Sequence, residues 1–173
     1  NDGVFQVTFS AENVNLSFLE SWPELQNVSA NLKFDKKTLN VKDVYGKTQG
    51  AKIVNSSVVI KDLTNALLEI TVNAESTDEN IQSYIWNSPL DETLGDAMRL
   101  FQVKGDNKLH LDMQLPITDQ ASKISTEGQV KFLNSSIYYP ELGYEIKNIT
   151  GVLDFTDDSV FSDSLHGKID ENR

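Results

Sequence analysis

Apolar and polar residues alternate with period two along most of the chain. Phe5, Val7 and Phe9 alternate, then Val14, Leu16 and Phe18, before a break at Trp22-Pro23. Val28, Ala30, Leu32 and Phe34 form the longest clean run, with Asn27, Ser29, Asn31 and Lys33 on the opposite face. Leu39 and Val41 follow the Asp35-Lys36-Lys37 turn, and Gly46 and Gly50 punctuate the next connection. A segment over about 52–60 leads into Asp62-Leu63, and Leu68, Ile70, Val72 and Ala74 make another strand. One apolar and one polar face per strand is the pattern of a half-solvated antiparallel sheet; buried parallel strands read as continuous apolar runs.

The middle of the chain breaks this period. Ser76-Thr77-Asp78-Glu79 has the spacing of a capping box with Ser76 as the cap, and Ile81, Tyr84 and Ile85 then recur at helical spacing. Asn87-Ser88-Pro89 stops that helix and starts a second, whose stripe is Leu90, Leu94, Met98 (or Ala97) and Phe101. The spacing predicts helices over about 77–87 and 89–102. Alternation returns after Gly105 with Leu109, Leu111, Met113 and Leu115, ended by Pro116. Further strands are expected around 129–132, 136–139, 146–155 and 160–169. The chain reads as mainly β, two stretches of antiparallel meander with two short helices between them.

Part of the pattern repeats. The stretch from Leu25 through Asn27, Val28, Ala30, Leu32 and Phe34 matches that from Ile146 through Asn148, Ile149, Gly151, Leu153 and Phe155 at a constant offset of 121. The match continues to Gly46-Lys47 against Gly167-Lys168. Upstream, residues 6–9 resemble residues 129–132 at an offset of 123, with Val14 against Ile137. Alternation alone puts apolar residues in register, but it does not demand a shared Asn or Gly-Lys pair. The reading is a first β-unit over 1–120, including the helices, and a truncated second unit over 121–173, continuous with the first and part of a longer array.

Composition narrows the function. The chain has 173 residues, 15 basic and 26 acidic side chains, a net charge of -11 and no cysteine. The acidic balance, with arginine only at positions 99 and 173, argues against nucleic acid as a partner. Without cysteine there is no disulfide, thiolate metal site or cysteine nucleophile, and no apolar run approaches the roughly 20 residues that span a bilayer. The first residue is Asn1, which reads as a processed or excised piece.

No catalytic apparatus is visible and no cofactor is implied. His110 and His166 have no neighbouring His or Cys, so they read as ordinary solvated side chains rather than metal ligands. Asp154, Asp157, Asp158 and Asp163 lack the spacing of a calcium loop and read as a charged turn; the matching turn of the first copy holds Lys36-Lys37. No metal site is expected. Triplets of the form N-x-[ST] at Asn15, Asn27, Asn55, Asn134 and Asn148 read as products of an Asn- and Ser-rich composition rather than glycan acceptors. The apolar strand faces remain. An uncovered face costs about 25 cal/mol per Å², so helix, second sheet or lipid must cover it.

Three sets of residues carry a family resemblance. One is Val14-x-Leu16-x-Phe18 with Trp22-Pro23-x-Leu25, followed by Asn27-Val28-x-Ala30-x-Leu32-x-Phe34. The second is Gly46 with Gly50-Ala51-Lys52-Ile53, followed by Ile60-x-Asp62-Leu63. The third joins Gly105 and Lys108-Leu109-x-Leu111-x-Met113-x-Leu115-Pro116-Ile117 to Gly128-x-Val130-x-Phe132 and Gly151-x-Leu153-x-Phe155-Thr156. In this order they resemble the YhdP branch of the AsmA-like proteins of Gram-negative envelopes. The resemblance implies a curved, groove-like sheet with the helices on its apolar face. It also implies a non-enzymatic segment of a periplasmic, inner-membrane-anchored protein that moves phospholipid to the outer membrane and maintains its barrier. The membrane anchor would lie outside this segment, and the partners would be phospholipid acyl chains and neighbouring β-units of the same long chain. The candidate lipid-facing positions are Val28, Ala30, Leu32 and Phe34; Leu68, Ile70 and Val72; and Leu109, Leu111, Met113 and Leu115. A structural or protein-interaction β-domain of the envelope, binding through a sheet edge, accommodates the same alternation without lipid.

Overall fold

The computed structural model describes residues 5–65, 67–92, 99–117 and 124–171. Among the described residues eleven strands form one sheet. In chain order they are β1 (Gln6–Leu16), β2 (Leu25–Asp35), β3 (Thr38–Thr48), β4 (Ala51–Ile60), β5 (Leu67–Thr77), β6 (Gln102–Lys104), β7 (Asp106–Pro116), β8 (Ser125–Tyr139), β9 (Tyr144–Thr156), β10 (Val160–Phe161) and β11 (His166–Glu171). Each of the first five pairs antiparallel with the next, and the order continues β5-β7-β8-β9-β10. β6 and β7 lie end to end along β8, as β10 and β11 do along β9. The strands expected at 129–132 and 136–139 are therefore one strand, β8, and the strand expected at 160–169 is two.

Left-handed residues shape this sheet. At the β3–β4 turn, Gln49 (φ 45°) and Gly50 (φ 83°) are both left-handed between the paired Thr48 and Ala51, the arrangement that suits a two-residue hairpin. Asn13, Asn27, Asp43 and Asn55 have φ of 53°, 52°, 53° and 44° in the middle of β1, β2, β3 and β4. Each sits at a register shift where its strand carries one residue more than its neighbour. These are β-bulges, and Asn and Asp tolerate the left-handed region because their short polar side chains bond locally. The extra residue reverses side-chain parity. Apolar positions in β1 are odd up to Ala11 and even from Val14; in β3 they change from Leu39 and Val41 to Val44. One face thus stays apolar on both sides of the bulges.

The same registers recur. Phe9 opposes Leu32, Val14 opposes Val28 and Leu16 opposes Leu25; 121 residues on, Val130 opposes Leu153, Ser135 opposes Ile149 and Ile137 opposes Ile146. Gln26 opposes Lys47 and Ser29 opposes Tyr45, as Lys147 opposes Lys168 and Thr150 opposes His166. The upstream offset of 123 is corrected by this: β1 and β8 correspond at 121 throughout. A slip of two residues keeps every side chain on its face, so alternation could not expose it.

One helix, α1 (Asp78–Trp86), leaves the end of β5. Its cap is Thr77, whose side chain accepts from the Asn80 amide, and not Ser76. Ser76 is held in the sheet opposite Asn107, and the pairing ends only at Thr77 opposite Asp106. Of the second expected helix, 89–102, residues 93–98 lie outside the described residues, and its last residue, Gln102, opens β6.

Candidate functional site

Two apolar rows cross six strands. The first runs Val7, Phe34, Leu39, Ile60, Leu68, Leu115; the second runs Phe9, Leu32, Val41, Val58, Ile70, Met113. At about 4.8 Å per strand they form a continuous band on the order of 25 Å wide. Phe9 stacks on Phe34, ring centroids 6.1 Å apart, at one end of it. Ile60, Met113 and Leu115 are buried, Val7 and Phe9 on the edge strand are exposed, and the others are half-buried. Among the described elements, strands pack on neighbouring strands, while α1 packs on β5 and β6.

The other end of the same face is closed. Tyr84 of α1 lies against Trp22, centroids 6.3 Å apart, and Trp22 lies against Phe18. Ser83 donates to the Gln49 side chain, and Asn80 fills the space over Gly50, where a Cβ would come within 2.6 Å of Asn80 Oδ1. Gln82 donates to the Phe101 carbonyl. Trp22, Val28, Ala30, Ala51, Ile53, Ala74 and Ile85 are buried here. Burial carries the Tyr84 hydroxyl up to about 12.

A polar cluster pins this end together. Asp78, Asn107 and Ser135 are 4%, 2% and 1% exposed, and Asn107 Nδ2 donates to Asp78 Oδ1 at 2.7 Å. The Asp78 amide donates to the Gly105 carbonyl, where a Cβ on Gly105 would sit 2.6 Å from Ser135. Asp78 Oδ2, Asn107 Oδ1 and Ser135 Oγ have no partner. Burial raises the Asp78 carboxyl above its ordinary value, with the Asn107 hydrogen bond pulling it partly back.

All eleven lipid-facing candidates lie on this one face, but not in one environment. Val28 and Ala30 belong to the closed end. Leu32, Phe34, Leu68 and Ile70 belong to the half-buried band, and Met113 and Leu115 are its buried far side. Val72 opposes Leu111 between the two ends, and Leu109 opposes Ala74 nearer the helix. Sequence reasoning missed Val41 and Val58, which continue the second row. Cross-strand register, which alternation does not reveal, is the signal that finds them.

The remaining candidates are local. His110 Nδ1 is 2.8 Å from Asn73 Oδ1 and its Nε2 is 3.2 Å from Asp112 Oδ2, on the polar face of β7. His166 is the first residue of β11. Asp157 accepts from the amide and hydroxyl of Thr126, and Asp158 from Thr156 and Ser159, as a charged turn does. Among the described residues no group of three or more His, Asp or Glu side chains could hold a metal ion. Asn27, Asn55 and Asn148 of the N-x-[ST] triplets are left-handed bulge residues, a backbone reason for their identity.

Comparison with known proteins follows the same line. The family model described as YhdP protein matches residues 1–173. The intermembrane phospholipid transporter YhdP of Escherichia coli (strain K12) is 26% identical over 165 residues, which is 95% of this chain and 13% of the relative. The chain thus spans about an eighth of the length of the curated relative it matches. No solved structure matches it.

Proposed function

This chain belongs to the YhdP protein family, and we propose from that premise that it is a non-enzymatic segment of an AsmA-like phospholipid-transport protein of the envelope. Its part is to hold acyl chains against the apolar band while they pass between inner and outer membrane. The observation that carries this reading is the band itself: two apolar rows, six strands wide, half-buried through β2 to β5 except at Ile60, and buried only at that residue and at Met113 and Leu115 on β7. Hydrocarbon would cover the part of such a surface that is only half-buried. Leu32, Phe34, Leu68 and Ile70 are the groove floor. Val28 and Ala30 are core under α1.

The segment comprises a first β-unit over 1–120 and part of a second over 121–173. It works in the periplasm as part of a longer, inner-membrane-anchored protein whose anchor and further units lie outside these residues. Equal registers at offset 121 support the division, because the second copy rebuilds the first three strands of the first.

The test is extraction and mass spectrometry of lipid co-purifying with the full protein. Phospholipid above a control protein is expected, and Leu32→Asp with Ile70→Asp should reduce it at least fivefold. Phospholipid no higher than the control, or unchanged in the double variant, overturns the reading.

A further inference from the structure

The two copies of the repeat do not lie level in the sheet. Gly128, Phe155 and Val160 are the counterparts, at offset 121, of Val7, Phe34 and Leu39 and repeat their pairing, so they form the first apolar row of the second copy. Gly128, however, pairs with Leu111 and not with Leu115, where the first row of the first copy ends. The second rows behave alike: Val130 pairs with Leu109, while the first copy's second row ends at Met113. From 115 to 111, and from 113 to 109, the band is displaced by four residues along β7, roughly 13 Å. The third row of the first copy is thereby the first row of the second.

Straight ahead, the first copy's band is blocked. Met113 and Leu115 are 7% and 3% exposed. Beyond them, Met113 pairs with Thr126 of β8, whose amide and hydroxyl both donate to Asp157 at 2.6 and 2.7 Å. Laying hydrocarbon on that carboxylate costs its hydration. One row to the side the surface is apolar throughout. Val72 lies two residues beyond Ile70 on the same face of β5; it pairs with Leu111, Leu111 with Gly128 and Gly128 with Phe155. Val72, Leu111 and Phe155 are half-buried, and Val160 at the end of the row is 63% exposed. Gly128 has no side chain to fill its place in the row, and the Phe155 ring takes that place: its Cζ lies 2.9 Å from where a Cβ would stand. In the first copy the equivalent Phe34 stacks instead on Phe9.

We propose that acyl chains pass from the first β-unit to the second by a sidestep of one row, leaving the band at Ile70, crossing Val72 and Leu111, and being received by Phe155. This rests on the lipid-carrying reading above. Hydrophobic contact is non-directional, so a flexible chain shifts by one row without losing apolar cover. The straight course sets its methylenes against the Thr126–Asp157 pair.

The test is photo-cross-linking in cells that make the full protein, with p-benzoylphenylalanine placed at Ile70, Thr126 or Phe155, one at a time, and mass spectrometry of phospholipid adducts. Ile70 and Phe155 should both give adducts, each at least fivefold above Thr126. Leu111→Gln should lower the Phe155 adduct at least threefold and leave the Ile70 adduct within twofold. Adducts at Ile70 and Thr126 without one at Phe155 overturn the sidestep and leave the band reading standing. So does an adduct at Phe155 that Leu111→Gln leaves unchanged. No adduct at Ile70 removes the lipid-carrying reading of the band, and the sidestep with it.

Discussion

Asn27 and Asn148 stand 121 residues apart and share one backbone state, φ 52° and 54°. Each precedes a buried aliphatic residue, Val28 or Ile149. Each of these faces a glycine on the neighbouring strand: a Cβ on Gly46 would lie 3.3 Å from Val28, and one on Gly167 3.3 Å from Ile149. The Asn and Gly identities that mark the repeat are thus two halves of one bulge.

Replacing Asn27 with Val puts a β-branched residue in the left-handed region, a strain of about 1–2 kcal/mol. Asn27→Gly removes the strain, so its loss should be under about 1 kcal/mol. Urea unfolding of both variants, and of the Asn148 pair, checks this. Equal losses for Val and Gly would show that the bulge backbone is not what selects Asn.

Gly128 occupies the row between Leu111 and Phe155. A Cβ there would lie 2.3 Å from the His110 carbonyl oxygen and 2.9 Å from the Phe155 ring. Gly128→Ala should destabilise by about 1–3 kcal/mol as β7, β8 and Phe155 move apart. Gly143, left-handed but with open space around it, should accept Asn with little change. Thermal unfolding of the two variants separates crowding from backbone effects.

Asp78 predicts an acid-side dependence. Its carboxyl is raised above 3.8 by burial, so the folded state binds the proton more tightly than the unfolded chain. The stability it contributes is present below that value and is lost as pH rises through the higher folded-state value. Asp78→Asn can keep the acceptor for Asn107 and offer donors to the unpartnered Asn107 Oδ1 and Ser135 Oγ. At pH 7 its urea midpoint should equal or exceed that of the native chain, and the decline with pH just above 3.8 should flatten.

Tyr84 predicts the alkaline side. With its hydroxyl carried from 10.0 to about 12 by burial, the folded state retains a proton that the unfolded chain releases. The contribution is full below pH 10 and disappears between 10 and 12. Tyr84→Phe should fold normally at pH 7 and lose less stability than the native chain across that window. Parallel curves would place the phenol in solvent.

Strand existence was legible in the sequence because each strand has one wet face. β2, β5 and β7 fall where Val28 to Phe34, Leu68 to Ala74 and Leu109 to Leu115 alternate. The parity change between Phe9 and Val14 was also on view, and it is the mark of the Asn13 bulge. Hidden were features that alternation treats alike. A two-residue slip moved the apparent offset of β1 from 121 to 123, and Ser76 and Thr77 are equally good caps until sheet pairing takes Ser76. Which apolar positions are covered depends on Trp22 meeting Tyr84, a contact between residues far apart in the chain. Val28 and Phe34 therefore looked equivalent, although one is buried core and the other lies in the half-buried band.

The order of strands in the sheet has a consequence for how the molecule is made. From β2 to β5 each strand pairs with the one synthesised just before it; after the helical excursion β7 returns to β5, and β8 and β9 again each pair with the strand before. A chain emerging N-terminus first from a narrow channel can lay down each strand on a finished edge without waiting for distant sequence. Loop-closure entropy stays small at every step except the passage from Thr77 to Asp106 and the pairing of β6 with β8. Growth by addition at one edge also has no built-in stopping length, so the same rule that assembles a few strands can assemble a much longer sheet.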